Sequence, residues 1–176
     1  VAVLKLLQKG IMCRGYITKG SVYHTETQII GSGYNEAVSN EKTVKAFKRE
    51  ADEKGTPYVE LDPAVCKFVK NCGDSCVKEM FSRYVKDDGE IMILFPFQRL
   101  SHSFMIAGFG TKFDPQKEKN SNHNLRLLIK ESKDRVMDFV DKSNPDAIRK
   151  SEHYIKALND QLAVCDKTDQ MIDRLG

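Results

Sequence analysis

The sequence lacks any apolar run approaching the ~18 residues that a membrane-spanning helix requires, so no membrane segment is expected. It also lacks a strong excess of either charge, because 28 Lys and Arg residues face 25 Asp and Glu residues, for a formal net charge of +3. Domains that bind nucleic acid usually concentrate basic residues in one patch. Nucleic acid is therefore not an expected partner.

Cysteine and histidine are too sparse and too scattered to indicate a metal or disulfide framework. The five cysteines are an odd number, and Cys72 and Cys76 are one residue too far apart for a C-x-x-C motif. We expect free thiols in a reducing cytoplasm. The histidines fit no ligand spacing, and we name no metal ligands among them: His24, His102, His123 and His153.

A start methionine and a signal peptide are also lacking, and Val1 to Leu7 is already apolar, as in the middle of a helix. We therefore expect the chain to be the later part of a longer polypeptide. Its 176 residues suit one domain, and 40% hydrophobic and 30% charged residues are typical of a globular protein.

What is present is organised around the stretch from Arg14 to Glu41. Two β-rich runs, Tyr16–Ile17 and Gln28–Ile30, are separated by a polar cluster, which predicts a β-hairpin. Gly31-Ser32-Gly33 follows, and then a helix predicted to begin at Tyr34. Glycine permits close approach to a ligand, and a helix N-terminus after such a turn can bind an anion. A lone G-x-G is equally compatible with a plain strand-to-helix connection.

Three polar residues strengthen the interpretation as a binding site. Asn35, Ser39 and Lys42 are spaced four and three residues apart, so they share one face of the predicted helix. An amide, a hydroxyl and an ammonium group beside a glycine turn suit a polar or phosphate-bearing ligand.

These residues resemble the central part of a class III nucleotidyl cyclase domain. The family strand R-x-G-I-x-x-G is followed by G-x-x-V-N-x-A-x-R at the start of a helix. The residues in register are Arg14, Tyr16, Ile17 and Gly20 for the first motif and Gly31, Tyr34, Asn35 and Ala37 for the second. Ser39 stands where the family has its arginine.

The resemblance implies roles for six residues. Asn35 would orient the ribose, and we expect Lys42, or a basic residue of the second subunit, to replace part of the charge of the missing arginine. Gln28 stands at the base-reading position, three residues before Gly31. The remaining nucleotide-binding candidates are Gly31, Gly33 and Ser39.

The resemblance also implies the reaction and its partners. A nucleoside triphosphate would become a 3′,5′-cyclic nucleotide and pyrophosphate, with two Mg²⁺ or Mn²⁺ ions whose ligands are expected upstream of Val1. Because the family builds its site from two subunits, we expect a homodimer. A bacterial subgroup, some of whose members make cyclic pyrimidine nucleotides as antiphage signals, resembles this chain in its Asp-Gly turn and faintly in its C-terminal segment.

The rest of the chain predicts an α+β fold of the ferredoxin-like palm type. Strands are expected near residues 11–19, 22–31, 57–61 and 90–97 in one mostly antiparallel sheet covered by helices. Helices are expected over 1–9, 34–54, 63–71, 125–140 and 146–175, with loops over 100–113 and 116–123. Residue range 77–85 is helical or irregular. We expect a cyclase-like domain over 1–113 and a helical extension over 114–176.

Local signals support several of these boundaries. Asp62-Pro63 is typical of an N-cap followed by proline at the first helical position. Ser143 or Asn144 is expected to cap the last helix, and Asp87-Asp88-Gly89 to form a hairpin turn rather than a metal site.

Three functions stay open at this level. The first is a nucleotide cyclase acting as a homodimer. The second is a degenerate cyclase-like domain that binds a nucleotide or a protein without turnover, which Ser39 favours. The third is a structural α+β domain in which Asn35 is only a helix-start residue. Two aspartates in family register upstream of Val1 would favour turnover over binding alone.

Overall fold

The computed structural model describes residues 2–50, 52, 55–95, 97 and 113–175. Its elements, in chain order, are α1 (Ala2–Leu7), β1 (Gly15–Ile17), β2 (Tyr23–His24), β3 (Ile29–Ile30), α2 (Ser32–Glu41), β4 (Val59–Leu61), α3 (Pro63–Asn71), α4 (Ser75–Tyr84), β5 (Val85–Asp87), β6 (Met92–Leu94), α5 (Pro115–Phe139) and α6 (Pro145–Leu175). They form two compact units. The mixed unit is Cys13–Phe95, and the helical unit comprises the described residues of Val1–Met12 and Pro96–Gly176.

The mixed unit contains a four-stranded sheet in the order β1-β4-β6-β5. Strands β1 and β4 are parallel, with Tyr16 opposite Glu60, and α2 lies in the connection between them. A parallel pair needs such a crossover, whereas the antiparallel β5 and β6 can be joined by a short turn. Strand β6 pairs antiparallel with β4 as well, with Glu60 opposite Ile93.

The α+β class predicted from the sequence is confirmed, and three of the four strand pairs between the described elements are antiparallel, but the prediction of a single sheet is wrong. Residues 22–31 form β2 and β3, which pair only with each other in a separate two-stranded sheet. Tyr16–Ile17 pairs with β4 instead of with the run at Gln28–Ile30. The pattern of β-rich runs marks the strands, but it does not say which strands pair.

The predicted helix over residues 34–54 is also wrong at both of its ends. Helix α2 begins two residues earlier, at Ser32, and ends at Glu41. Beyond it, the Glu60 carboxylate accepts the backbone N–H groups of Lys45 and Ala46, and the Asp88 carboxylate accepts that of Phe47. These amides therefore bond to distant side chains instead of extending the helix, and Phe47 has a positive φ of 56°.

The core of the mixed unit lies on the β4–β6 ladder. The rings of Phe47 and Tyr58 meet edge to face with centroids 5.5 Å apart, and Tyr58 lies 6.3 Å from Phe95. Ile93 is fully buried in the same sheet.

The predicted helix starts and the hairpin turn are confirmed where side-chain caps could be identified in the sequence. Asp62 caps α3 by accepting the N–H of Ala64 at 2.6 Å, with Pro63 at the first helical position. The Asp-Asp-Gly turn joins β5 to β6, and Gly89 has a positive φ of 103°. Residues 77–85, left open between helix and irregular structure, lie mostly within α4.

The helical unit contains α1 and an antiparallel hairpin of α5 and α6. The predicted end of α1 at a glycine is confirmed, since Gly10 follows it with a φ of 76°. Asn144 caps α6 by accepting the N–H of Asp146 at 3.0 Å. The buried apolar side chains of the unit include Leu7, Phe97, Ile129, Val136, Tyr154, Leu158 and Ile172.

The prediction of a loop over residues 116–123 is wrong. Asp114 accepts the N–H groups of Gln116 and Lys117, and Pro115 occupies the first turn, so α5 already begins there. The polar residues suggested a loop, but Asn122 is buried, and its amide donates to the Cys165 carbonyl at 2.8 Å and to Asp169 at 2.5 Å.

In the helical unit α1 groups with α5 and α6, although the sequence predicted it to belong to the cyclase-like domain. The predicted boundary at residues 113–114 stays a prediction, and the predicted loop over 100–113 lies almost entirely outside the described residues. No helix among the described residues is long and apolar enough to cross a membrane. The five cysteines all lie in the described residues, and none of them forms a disulfide there.

Candidate functional site

The glycines of the predicted site bring the chain before the hairpin against the start of α2. A Cβ added at Gly20 would lie 2.6 Å from Cα of Gly33, and one added at Gly31 would overlap the carbonyl oxygen of Ser21. Gly31 also has a φ of 142°, which L side chains rarely adopt. Close backbone packing is therefore the observed reason for glycine at these positions.

That packing uses one of the donors at the helix N-terminus. The N–H of Gly33 donates to the Ser21 carbonyl at 3.2 Å, and the N–H of Asn35 donates to Gly31 within the helix at 3.0 Å. The anion site predicted for the glycine turn therefore has fewer free backbone donors than an unengaged helix start would offer.

Contacts along the length of α2 fix which face it turns to β1. The Nε of Arg14 donates to Oε1 of Glu41 at 2.6 Å, and the Thr18 hydroxyl donates to Glu36 at 3.1 Å. Together with the Gly20–Gly33 contact, these pairs run the β1 segment antiparallel to the helix.

The predicted site residues lie on the other side of α2. At 100° per residue, Asn35, Ser39 and Lys42 point away from the side of the helix that carries the buried Gly33 and the half-buried Ala37, and all three side chains are exposed. Lys42 is the C-cap residue of the helix. The structure thus brings these three together on one face, as predicted.

Gln28, the predicted base-reading residue, lies at the end of the hairpin turn. Its carbonyl accepts the N–H of Thr25 at 2.8 Å, its own N–H donates to the Thr25 hydroxyl at 3.1 Å, and its side chain is exposed. It precedes β3, which contacts α2.

The mixed unit also contains a separate cleft of about 740 Å³. It lies at the end of the sheet where β1, β4 and β5 finish and β6 begins, and it reaches α3 and the segment after α2. Ligands of sheets with parallel strands commonly bind beyond the carboxyl ends of those strands. None of the six predicted site residues lines this cleft.

Two buried carboxylates order the wall of the cleft. Glu60 is only 6% exposed, and its Oε1 accepts the N–H groups of Lys45 and Ala46, the latter at 2.6 Å. Asp62 is 7% exposed and accepts the Tyr16 hydroxyl at 2.9 Å. Burial, with the hydrogen bond to Asp62, raises the pKa of Tyr16 above its ordinary range.

Asp88 holds the segment after α2 to the β5–β6 turn. Its carboxylate accepts the N–H groups of Phe47 at 3.0 Å, Ile91 at 2.7 Å and Glu90 at 3.1 Å. Burial alone would raise the pKa of Asp88, but these backbone donors outweigh it and lower the pKa from its ordinary value.

The sequence did not single out the residues of the cleft, because they come from elements far apart in the chain. Glu60 stands between Val59 and Leu61 in a short strand with alternating apolar and polar residues. In such a pattern the polar side chain is expected to face solvent. A usable signal was present in α3, since Lys67 and Lys70 are three residues apart and share one face.

In the described part of the chain, no group of three or more His, Cys, Asp or Glu side chains is arranged to hold a metal ion. The residues described here therefore do not fit the two-ion site that the cyclase resemblance implies. The ligands of that site stay an expectation for the polypeptide upstream of Val1.

Comparison with known proteins adds no relative to this picture. No family model, no curated protein and no solved structure matches the chain. The assignment of function therefore depends on the residues and contacts described above.

Proposed function

We propose that the mixed unit is the nucleotide-binding part of a nucleotide cyclase, which converts a nucleoside triphosphate to a 3′,5′-cyclic nucleotide and pyrophosphate. The observation that carries the proposal is the exposed row of Asn35, Ser39 and Lys42 on α2. The cyclase-like motif assigns Asn35 to a ribose contact and the position of Ser39 to the transition-state charge, and Lys42 lies next to them on the same face. The same proposal includes a fold of the ferredoxin-like palm type for the mixed unit.

The chemistry of the row suits this ligand. The Asn35 amide can donate to and accept from ribose oxygens, and the exposed Lys42 ammonium can approach a phosphate as a point charge. The Arg14–Glu41 ion pair and the Gly20–Gly33 contact hold the two ends of α2, so the row is presented on a fixed helix. A fixed scaffold limits the reorganisation needed on binding.

An apolar surface next to this row supports the homodimer. Its side chains are all more than 40% exposed and come from the hairpin and the outer side of α2: Val22, Tyr23, Ile29, Ile30, Tyr34 and Val38. A two-stranded hairpin is marginally stable in water by itself. A second copy of this chain, which the family site requires, would cover the hairpin and bring a second set of charges to α2.

Binding without turnover is the second candidate, and one observation favours it. Ser39 is exposed at the position of the family arginine, and its hydroxyl carries no charge to neutralise developing negative charge on the phosphates. In that case the chain would bind nucleoside triphosphate and release it unchanged.

The deciding experiment uses the full-length protein. It is incubated with each of the four nucleoside triphosphates and Mn²⁺, and the products are identified by mass. We expect one cyclic nucleotide, and a cyclic pyrimidine from UTP or CTP would link the protein to antiviral defence. Triphosphate binding by calorimetry without product would favour the second candidate, and neither binding nor product would contradict both.

A further inference from the structure

The cleft at the end of the sheet has no role in the proposed nucleotide site. Six charged residues line it in equal numbers of each sign: Lys45, Lys67, Lys70, Glu60, Asp87 and Glu90. A purely anionic ligand would meet the three carboxylates, and a purely cationic one the three ammonium groups. The balance favours a ligand that carries both charges.

Glu60 is the anchor for the positive end of such a ligand. It is 6% exposed, and its Oε1 is held by the N–H groups of Lys45 and Ala46, which leaves Oε2 as the atom available to a ligand in the cleft. In the part of the chain that the structure describes, no ion pair involves Glu60. Because a buried carboxylate without a cationic partner is costly, an ammonium group is the favoured ligand there.

Lys67 and Lys70 supply the opposite end. Both are exposed on α3, three residues apart, and both line the cleft. Neither has a carboxylate partner among the described ion pairs, so a ligand carboxylate can bind between them.

An apolar groove of about 400 Å³ continues from the cleft. The two share Lys70, Asp87 and Met92, and the groove is otherwise lined largely by Val69, Phe81 and Val85. An apolar side chain of the ligand can therefore lie in the groove while its charged groups contact the adjoining cleft.

We propose that this cleft binds a free α-amino acid with a large apolar side chain. Its ammonium group contacts Glu60, its carboxylate contacts Lys67 and Lys70, and its side chain occupies the groove beside Phe81. The site is distinct from the row on α2, so it stands or falls independently of the nucleotide proposal.

Isothermal titration calorimetry with L-phenylalanine tests the proposal on the whole chain. We expect a Kd of about 1 mM or tighter. Binding should be at least tenfold weaker for 3-phenylpropanoate, which lacks the ammonium group, for phenethylamine, which lacks the carboxylate, and for L-alanine, which lacks the large side chain. Each loss is on the order of one charge-assisted or apolar contact.

Two variants locate the site. Glu60→Gln keeps an oxygen for the Lys45 and Ala46 amides but loses the charge, and Lys70→Gln removes one ammonium group. Both should weaken L-phenylalanine binding about tenfold or more. The matched controls Glu26→Gln, in the hairpin turn, and Lys48→Gln, after α2, lie outside the cleft and should bind as wild type.

Circular dichroism checks that Glu60→Gln is folded, and if it is not, the analogue series and Lys70→Gln decide alone. Failure of L-phenylalanine to bind, equal binding of phenethylamine, or unchanged binding by Lys70→Gln would overturn the proposal. So would binding of inorganic pyrophosphate to the cleft in place of the amino acid. Triphosphate binding in the same calorimeter reports on the α2 row separately.

Discussion

The hydroxyl of Tyr16 in β1 donates a 2.9 Å hydrogen bond to Oδ2 of Asp62, whose Oδ1 accepts the N–H of Ala64 at 2.6 Å. One carboxylate therefore fixes the start of α3 and ties it to the edge strand of the sheet. The cleft opens beside this junction. The position of its wall therefore depends on the Asp62 carboxylate, which does not have to contact a ligand.

Tyr16→Phe should lower the free energy of unfolding by about 1–2 kcal/mol at pH 7, because a buried carboxylate loses one donor. The raised pKa of Tyr16 means that the folded state favours the protonated hydroxyl. Its contribution is therefore present below the unfolded value of about 10 and is lost as pH rises through the folded value. Urea unfolding from pH 7 to 11 should show the gap to wild type narrowing above about pH 10. A gap independent of pH would contradict this, and Tyr23→Phe, on the exposed hairpin, is the control.

Asp88→Ala should cost about 2–3 kcal/mol at pH 7, since it leaves the N–H groups of Phe47 and Ile91 without their acceptor. The pKa of Asp88 is lowered in the folded state, so its stabilisation is present above the unfolded value of about 3.9 and is lost as pH falls through the folded value. Thermal unfolding between pH 2 and 7 should show less acid sensitivity in the variant. The exposed substitution Asp134→Ala on α5 should change stability by no more than about 0.5 kcal/mol.

Gly31→Ala should destabilise the mixed unit by about 2 kcal/mol or more, because the added Cβ would overlap the Ser21 carbonyl in a backbone conformation that favours glycine. Gly73→Ala is the matched control, since a Cβ there meets nothing within 4 Å. Urea unfolding compares the two. Equal stabilities would mean that the hairpin does not pack against α2 as described.

The sequence predicted the parts of this fold that are encoded by near neighbours. Asp62 before Pro63, Asn144 before Pro145 and the Asp-Asp-Gly turn each satisfy amides within three residues, so their patterns can be read directly.

The sequence-based prediction was wrong where a side chain from a distant part of the chain determines the local structure. Helix α2 ends early because Glu60 and Asp88, both far along the chain, take the amides of Lys45 to Phe47. In the sequence, Asn122 suggests a loop because it is polar. In the structure it lies within α5, and its amide donates to the Cys165 carbonyl of α6. The cleft was not predicted for the same reason, since its lining residues come from distant parts of the chain. The three residues of the row on α2 were predicted to share one face because helix periodicity alone places them together.

Asn35→Ala should reduce cyclisation in the active full-length enzyme by about 100-fold, as expected for loss of one transition-state contact. Its cost in stability should be about 1 kcal/mol or less, because the side chain is exposed in the first turns of α2. Turnover and thermal unfolding are measured on the same preparation. Wild-type turnover in this variant would remove Asn35 from the site.

Ser39→Arg should raise the cyclisation rate, since it restores a guanidinium group at the family position on an exposed face. Lys42→Ala should lower the rate, because it removes the charge that partly substitutes for that group. Lys48→Ala, an exposed change beyond the helix, should leave the rate unaltered. If Lys42→Ala leaves the rate of a rapidly turning-over enzyme unchanged, the charge that replaces the arginine comes from another residue. If neither wild type nor Ser39→Arg makes a cyclic nucleotide, binding without turnover is favoured.

The polar contacts between α5 and α6 give the helical hairpin a single register. Arg126 forms ion pairs with Asp166 and with Asp169, and Asn122 bonds to Cys165 and Asp169. A slide of one helical turn, about 5.4 Å, would separate all of these partners at once. A slide of one helix along the other would therefore have to break all of these contacts together. We expect α5 and α6 to move as one rigid body.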